Sequence, residues 1–252
     1  MKISAAIITK NEERNIGRCL NSVKKVADEI IVMDAGSTDQ TEIICRNHGA
    51  RFIKQDWLGY AQQKNLLNQQ ATHPFILSID ADEELSEELI AEIIQLKSSQ
   101  TEGVFSFNRL TNYCGSWIYH SGWYPDIKVR LFPKEIKWIG DLVHETLDLP
   151  ANTNVIPLKG HLNHFSYYSH EQHRARADHY STLTAQKYVQ QNKTVYFGQP
   201  LFSAIGRFLS MYIIKKGFLD GAAGFHIARI SAASNYFKYK EVIRLKRENR
   251  KH

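Results

Sequence analysis

Short apolar runs alternate with helical periodicities along the first hundred residues. Ile3 to Thr9 is apolar and β-branched at Ile3, Ile7 and Ile8, which predicts a buried strand. Asn11 stands where a helix cap belongs, ahead of Glu12, Glu13 and an apolar face of Ile16, Leu20 and Val23. Glu29 to Met33 predicts a second strand that stops at Asp34, and Ser37 or Thr38 then caps a helix running to about His48. A short strand (Arg51 to Lys54), a helix (about Tyr60 to Gln70) and an apolar strand (Phe75 to Ile79, ending at Asp80) follow. Ser86 caps an amphipathic helix carrying Leu89, Ile90, Ile93, Ile94 and Leu96. After Gly103 the pattern changes, and strands over Val104 to Phe107, Lys128 to Phe132 and Val155 to Leu158 lie among aromatic-rich loops. Ser169 to about Gln191 is a polar helical stretch, and residues 200–245 are helical, apolar and basic.

Strands alternating with helices of this length predict an α/β fold, a mostly parallel sheet flanked by helices. Such sheets bind ligands at the carboxyl ends of their strands, where Asp34 and Asp80 both stand. A chain of 252 residues fits one domain with an appendage. The expected division is 1–168, in halves 1–100 and 101–168, followed by a helical extension over 169–252. Hydrophobic content of 43% and charged content of 23% exclude wholesale disorder. Cys19, Cys45 and Cys114 match neither zinc spacing nor a disulfide framework, which points to a reducing compartment. Residues 1–9 are too short an apolar run for a signal peptide, and no apolar stretch approaches the roughly 18 residues a bilayer span needs. The net charge of +6 is unevenly placed: from Leu201 onward eleven Lys/Arg face three acids, a balance of +8 that leaves −2 for the rest.

The chemistry gathers around Asp80-Ala81-Asp82. Hard cations such as Mg²⁺ and Mn²⁺ take carboxylate oxygens together with substrate phosphates, and residues i and i+2 of extended backbone point the same way. The plain alternative is an acidic run that opens the next helix and favours its dipole. Asp34 to Asp39 reads both as a strand-to-helix turn, bent at Gly36, and as a place where a carboxylate accepts hydrogen bonds from a base or ribose. Thr9, Asn11 and Glu12 put polar groups beside the same edge. Lys64 is either a diphosphate partner or a solvated surface lysine.

Three segments carry a resemblance: Ile7-Ile8-Thr9-Lys10-Asn11-Glu12, Val32 to Asp39, and Leu77 to Glu83. In this order and spacing they resemble family 2 inverting glycosyltransferases of the GT-A fold, over roughly residues 1–145. The resemblance implies that Thr9, Glu12 and Asp34 hold a uridine, that Asp80 lies by the ribose and that Asp82 binds a divalent cation, Mg²⁺ or Mn²⁺. Arg130-Leu131-Phe132, Trp138 and Val143-His144-Glu145 resemble the acceptor side of a branch in which Glu145 is the base, with Asp141 and Asp126 as rivals. His161 to Tyr167 resembles a region that supplies a third metal ligand, here His164, and a packed histidine is the alternative. Tyr113, Trp117, Tyr119, Trp123 and Tyr124 are either a wall that stacks on sugars or an aromatic core.

The tail narrows the resemblance. Phe202, Ile205, Phe208, Leu209, Tyr212 and Ile213 recur at helical spacing with Arg207, Lys215 and Lys216, as in basic amphipathic helices at membrane interfaces. A helical pair packed on the catalytic domain, or a dimer contact, is the alternative; no nucleic-acid recognition motif is present. With Phe218 to Phe225, this segment resembles the C-terminus of lipopolysaccharide inner-core β-1,4-glucosyltransferases. That implies transfer of glucose from UDP-glucose to a heptose of a lipid-linked acceptor, peripherally on the cytoplasmic face of the inner membrane. A transferase acting on another polysaccharide, a polyprenyl lipid or a protein, and a nucleotide-sugar-binding module without turnover, are the competing readings.

Overall fold

A computed structural model describes residues 1–140 and 145–249. The chain divides into two compact units, one of residues 1–110 and 126–165, the other of residues 111–125 with 166 onward.

The first unit is built from β1 (Ile3–Thr9), α1 (Ile16–Val23), β2 (Glu29–Asp34), α2 (Thr41–Asn47), β3 (Arg51–Lys54), α3 (Tyr60–Gln70), β4 (Phe75–Asp80), β5 (Glu83–Leu85) and α4 (Glu87–Ser98). Then come β6 (Val104–Tyr113), whose last residues enter the second unit, and, further on, β8 (Ile127–Pro133), β9 (Trp138–Ile139), β10 (Thr146–Leu147) and β11 (Val155–Tyr167). Among the described residues the sheet runs β3-β2-β1-β4-β8-β6-β11-β5. The pairs β2–β3, β1–β2 and β1–β4 are parallel, whereas β4–β8, β6–β8 and β11–β5 are antiparallel, so the sheet is mixed. Parallel pairing ends where crossover helices end: among the described residues, the connections from β6 to β8 and from β8 to β11 hold no helix to carry the chain over the sheet. Both faces of β1 are covered: Ile3, Ala5 and Ile7 pack in one apolar cluster and Ala6 and Ile8 in the other, which is why β1 is apolar throughout rather than alternating.

Two expected caps are corrected. The first helix starts at Ile16, not after Asn11, and the second at Thr41, without a side-chain cap from Ser37 or Thr38. Asn11 and Ser37 bond across to each other's loop instead. Ser86 caps α4 as expected, its Oγ accepting from the Leu89 N–H at 3.2 Å.

The second unit holds β7 (Ser116–Ile118), which pairs with Thr111 to Tyr113, then α5 (His170–Gln190), α6 (Gln199–Leu209), a π turn over Ser210–Ile214, a 3₁₀ turn over Gly217–Asp220 and α7 (Gly221–Glu248). Asp220, at the entry to α7 with only its side chain withdrawn from solvent, accepts from the backbone N–H groups of Tyr119 and His120 at 3.1 Å each and from Ser121 Oγ at 2.9 Å. Gly224 sits so close to the 3₁₀ turn that a β-carbon there would overlap the Gly217 carbonyl oxygen. The aromatic loop divides: Tyr113 is fully buried with Trp123, Tyr167 and His173 around it, while Trp117 and Tyr119 are exposed.

Candidate active site

The parallel strands deliver their carboxyl ends to one edge of the sheet. Thr9 and Asp34 are register partners there, and the Ala35 N–H donates to the Thr9 carbonyl at 2.9 Å. Asp34 is buried and organises its own turn, accepting from the N–H groups of Gly36 at 3.0 Å and Ser37 at 2.8 Å and from the Ser37 hydroxyl. Gly36 has φ of +85°, a conformation a side chain would strain. Asn11 locks this turn to the loop after β1: its N–H donates to Ser37 Oγ at 2.7 Å and its Oδ1 accepts from Thr38 N–H at 2.8 Å. Glu12 joins in through its N–H, donated to Thr41 Oγ1 at 2.8 Å, and Glu12 Oε2 accepts from Asn15 at 2.7 Å. The Thr9 hydroxyl is buried and has no hydrogen-bond partner among the described residues. A buried unpaired hydroxyl costs free energy, so one at a strand end marks a place for a ligand's polar group.

The second cluster surrounds Asp80, the last residue of β4. Its Oδ1 lies 3.2 Å from Lys64 Nζ, and its Oδ2 accepts from Arg130 Nη2 at 2.6 Å. Withdrawal from water opposes the charge on Asp80, but the cations of Arg130 and Lys64 outweigh it and hold the carboxyl well below the usual range. Lys64 is not a solvated surface lysine: its side chain is 4% exposed, lies 4.6 Å from the Trp138 ring centre, and also meets Glu145 Oε1 at 3.2 Å. Arg130 Nη2 reaches buried Glu83 Oε1 at 2.6 Å as well, and Glu83 Oε2 accepts from the Asp80 N–H at 3.0 Å. Arg109 continues the series, contacting Glu83 at 3.4 Å and Asp126 at 2.7 Å, and Lys128 meets Asp126 at 3.0 Å. Lys128, Asp126, Arg109, Glu83, Arg130, Asp80, Lys64 and Glu145 thus form an unbroken chain of alternating sign. Asp80, Arg109, Arg130, Trp138 and Glu145 line a cavity of about 490 Å³, a size suited to a small ligand.

Of the three candidate bases, Glu145 lines this cavity and pairs with Lys64. Asp126 is engaged by Arg109 and Lys128; withdrawal from water opposes its charge, yet Arg109 above all keeps its carboxyl below the ordinary value, making it a weaker proton acceptor. Asp141 lies outside the described residues.

Asp82 has a different neighbour. On the turn between β4 and β5, it places Oδ2 at 3.2 Å from Nε2 of His164, which β11 brings alongside through the His164–Glu83 register and a 2.9 Å bond from the Phe165 N–H to the Asp82 carbonyl. Carboxylate oxygen and imidazole nitrogen side by side are ligands for a divalent cation. Among the described residues no group of three or more His, Cys, Asp or Glu gathers as a metal site. Asp80 and Asp82 therefore have separate partners, Asp80 the two cations and Asp82 the histidine. Glu83 and Arg130, central to the charge chain, were given no role from sequence; the available signal was an arginine inside the apolar run Val129 to Phe132.

The family described as Glycosyl transferase family 2 matches residues 4–148. An uncharacterized glycosyltransferase of Rickettsia typhi is 32% identical over 99% of this chain and 89% of its own length. The lipopolysaccharide core biosynthesis glycosyltransferase LpsC of Rhizobium meliloti is 28% identical over 95% of this chain and 93% of its own. Among solved structures, residues 1–349 of S. aureus TarS are 18% identical, cover 98% of this chain and 92% of their own length, and superpose with a TM-score of 0.47.

Proposed function

The chain belongs to glycosyl transferase family 2, and from that premise we propose that this glycosyltransferase moves glucose from UDP-glucose, with inversion, onto a heptose of a lipid-linked core saccharide. The observation that carries the reading is Lys64 Nζ, 3.2 Å from both Asp80 and Glu145, which ties the donor-side carboxylate to the base in one cavity.

Thr9, Asn11, Glu12 and Asp34 take the uridine, and the unpaired Thr9 hydroxyl supports that role. Asp80 serves the ribose, and Lys64 is within reach of the diphosphate as a point charge. Asp82 and His164 would hold Mg²⁺ or Mn²⁺, whose positive charge would offset the negative charge that grows on the leaving diphosphate. Glu145 receives the acceptor's hydroxyl proton as that oxygen bonds to the anomeric carbon and the bond from carbon to the diphosphate oxygen breaks. Lys64 holds the Glu145 carboxylate in place for that transfer. A single displacement of this kind inverts the anomeric centre.

The part of the R. meliloti relative in lipopolysaccharide core biosynthesis supports a lipopolysaccharide-core acceptor. Nucleotide sugar and lipid-linked acceptor meet at the cytoplasmic face of the inner membrane, which is the location proposed. The test is transfer and hydrolysis across a panel of UDP-sugars with Mn²⁺, Mg²⁺ or a chelator. UDP-glucose turnover that chelator abolishes and Mn²⁺ or Mg²⁺ restores is the expected result. Turnover unaffected by chelator would sink the role given to Asp82 and His164, and preference for another sugar would sink the donor assignment.

A further inference from the structure

The second unit presents a surface that its own fold leaves uncovered. In α6 and the π turn, Pro200 and Met211 are buried, and Phe208 and Tyr212 pack with Met211 against the unit's small core. A neighbouring face of the same segment is apolar and open. Leu201, Ile205, Leu209 and Ile213 recur every four residues on it and are all exposed, so they form one row. The same segment holds the most exposed large apolar side chains of the region: Phe197 at 107%, Ile214 at 75%, Phe202 at 73% and Tyr196 at 72%. A contiguous apolar patch is unusual on a folded surface and marks something that covers it.

Charge identifies the occupant. Between Asp178 and Asp220 the sequence holds no acidic residue, while Lys187, Lys193, Arg207, Lys215 and Lys216 fall in that interval. Asp220 does not offset them at the surface, because its side chain is 2% exposed and bonded to the 119–121 loop. A two-fold contact through this face would bring two copies of the same basic cluster, Arg207, Lys215 and Lys216, into one interface, where the like charges repel. An anionic bilayer offers both an apolar layer for the phenylalanines and isoleucines and a negative layer for the lysines and arginine. Among the described residues no helix is long and apolar enough to cross a membrane.

We infer that the segment from Tyr196 to Leu219 is an interfacial anchor, which lays its apolar row into the headgroup boundary of an anionic bilayer. This rests on the lipid-linked acceptor proposed above and deepens it by naming the surface that meets the lipid. The π turn at Ser210–Ile214 has a part in this, since its wider spacing keeps Ile213 and Ile214 both outward while Met211 stays buried.

Co-sedimentation of the full chain with vesicles tests it, using phosphatidylcholine alone and phosphatidylcholine with phosphatidylglycerol. Binding to the anionic vesicles, weak binding to the neutral ones and weakening with salt are expected. The triple variant Phe197→Ser, Phe202→Ser, Ile214→Ser is expected to lower anionic-vesicle binding by about tenfold or more, since it removes apolar groups from the inserted side. Lys215→Gln with Lys216→Gln is expected to reduce both the anionic preference and its salt dependence. UDP-glucose hydrolysis without vesicles reports the nucleotide-sugar site independently and is expected to match the parent in every variant. Lost hydrolysis in a parent that still binds vesicles would count against the proposed reaction and leave the anchor supported. Equal vesicle binding by parent and triple variant, no binding by the parent, or a triple variant that only converts an oligomer to a monomer in sedimentation would each overturn the anchor.

Discussion

Glu145 and Lys64 show how much one side chain can decide. Glu145→Gln keeps size and hydrogen bonding but removes the proton acceptor, so transfer is expected to fall by roughly 10²–10⁴ while UDP binding, followed by calorimetry, stays near the parent's. Unchanged transfer would move the base elsewhere. Asp80 and Asp34 were legible in sequence because an aspartate ending an apolar strand has only the ligand edge of a parallel sheet to face. Lys64 was legible as a candidate but not in its setting. Its partners are 16 and 81 residues away in sequence, and burial against Trp138 follows from packing that no local pattern encodes. Arg130 is the same case from the other side. Its place in an apolar strand was visible, and the carboxylates that make it tolerable there were not.

At the level of elements, strands and helices of the first hundred residues fall close to where periodicity puts them, because each buries one or two faces in a single core. The misplaced helix starts have one cause. Asn11 and Ser37 have side chains suited to capping, and both spend them on joining two loops, so α1 begins at Ile16 and α2 at Thr41. Strands β6, β8 and β11 run longer than their apolar cores suggested, since antiparallel pairing extends them through residues of mixed polarity. Among the later elements, the glycines of Phe218 to Phe225 acquire a reason. Gly224 lets α7 pass against the 3₁₀ turn that precedes it. Gly224→Ala is expected to force that turn away and lower the thermal midpoint by several degrees, on the scale of about 1–3 kcal/mol for overpacking. Gly206→Ala, where a β-carbon meets nothing, is the control and is expected to leave the midpoint unchanged or raise it.

For the whole molecule, acidity is the condition that discriminates. His173 is buried against Tyr113, whose hydroxyl lies 3.0 Å from its Nδ1, and burial, then His170 and Arg176, lower its pKa from 6.5 to about 4. The unfolded chain therefore takes up a proton that the folded chain refuses between those values. The stability tied to neutral His173 is complete above 6.5 and is lost as pH falls through the window to about 4. Urea midpoints measured from pH 7.5 downward are expected to decline through that window, and His173→Phe, which cannot charge, is expected to flatten the decline. The alternating series from Lys128 to Glu145 carries a consequence of another kind, one of inheritance. Losing one member strands a neighbour's charge, whereas losing an adjacent cation and anion together leaves the remainder balanced. Lineages descended from a common ancestor are therefore expected to lose the members with no proposed part in transfer, Arg109, Asp126, Arg130 and Glu83, in neighbouring opposite pairs. A saturation library selected for stable expression checks this: Arg109 with Asp126, or Arg130 with Glu83, should be replaced together far more often than the product of their single frequencies allows.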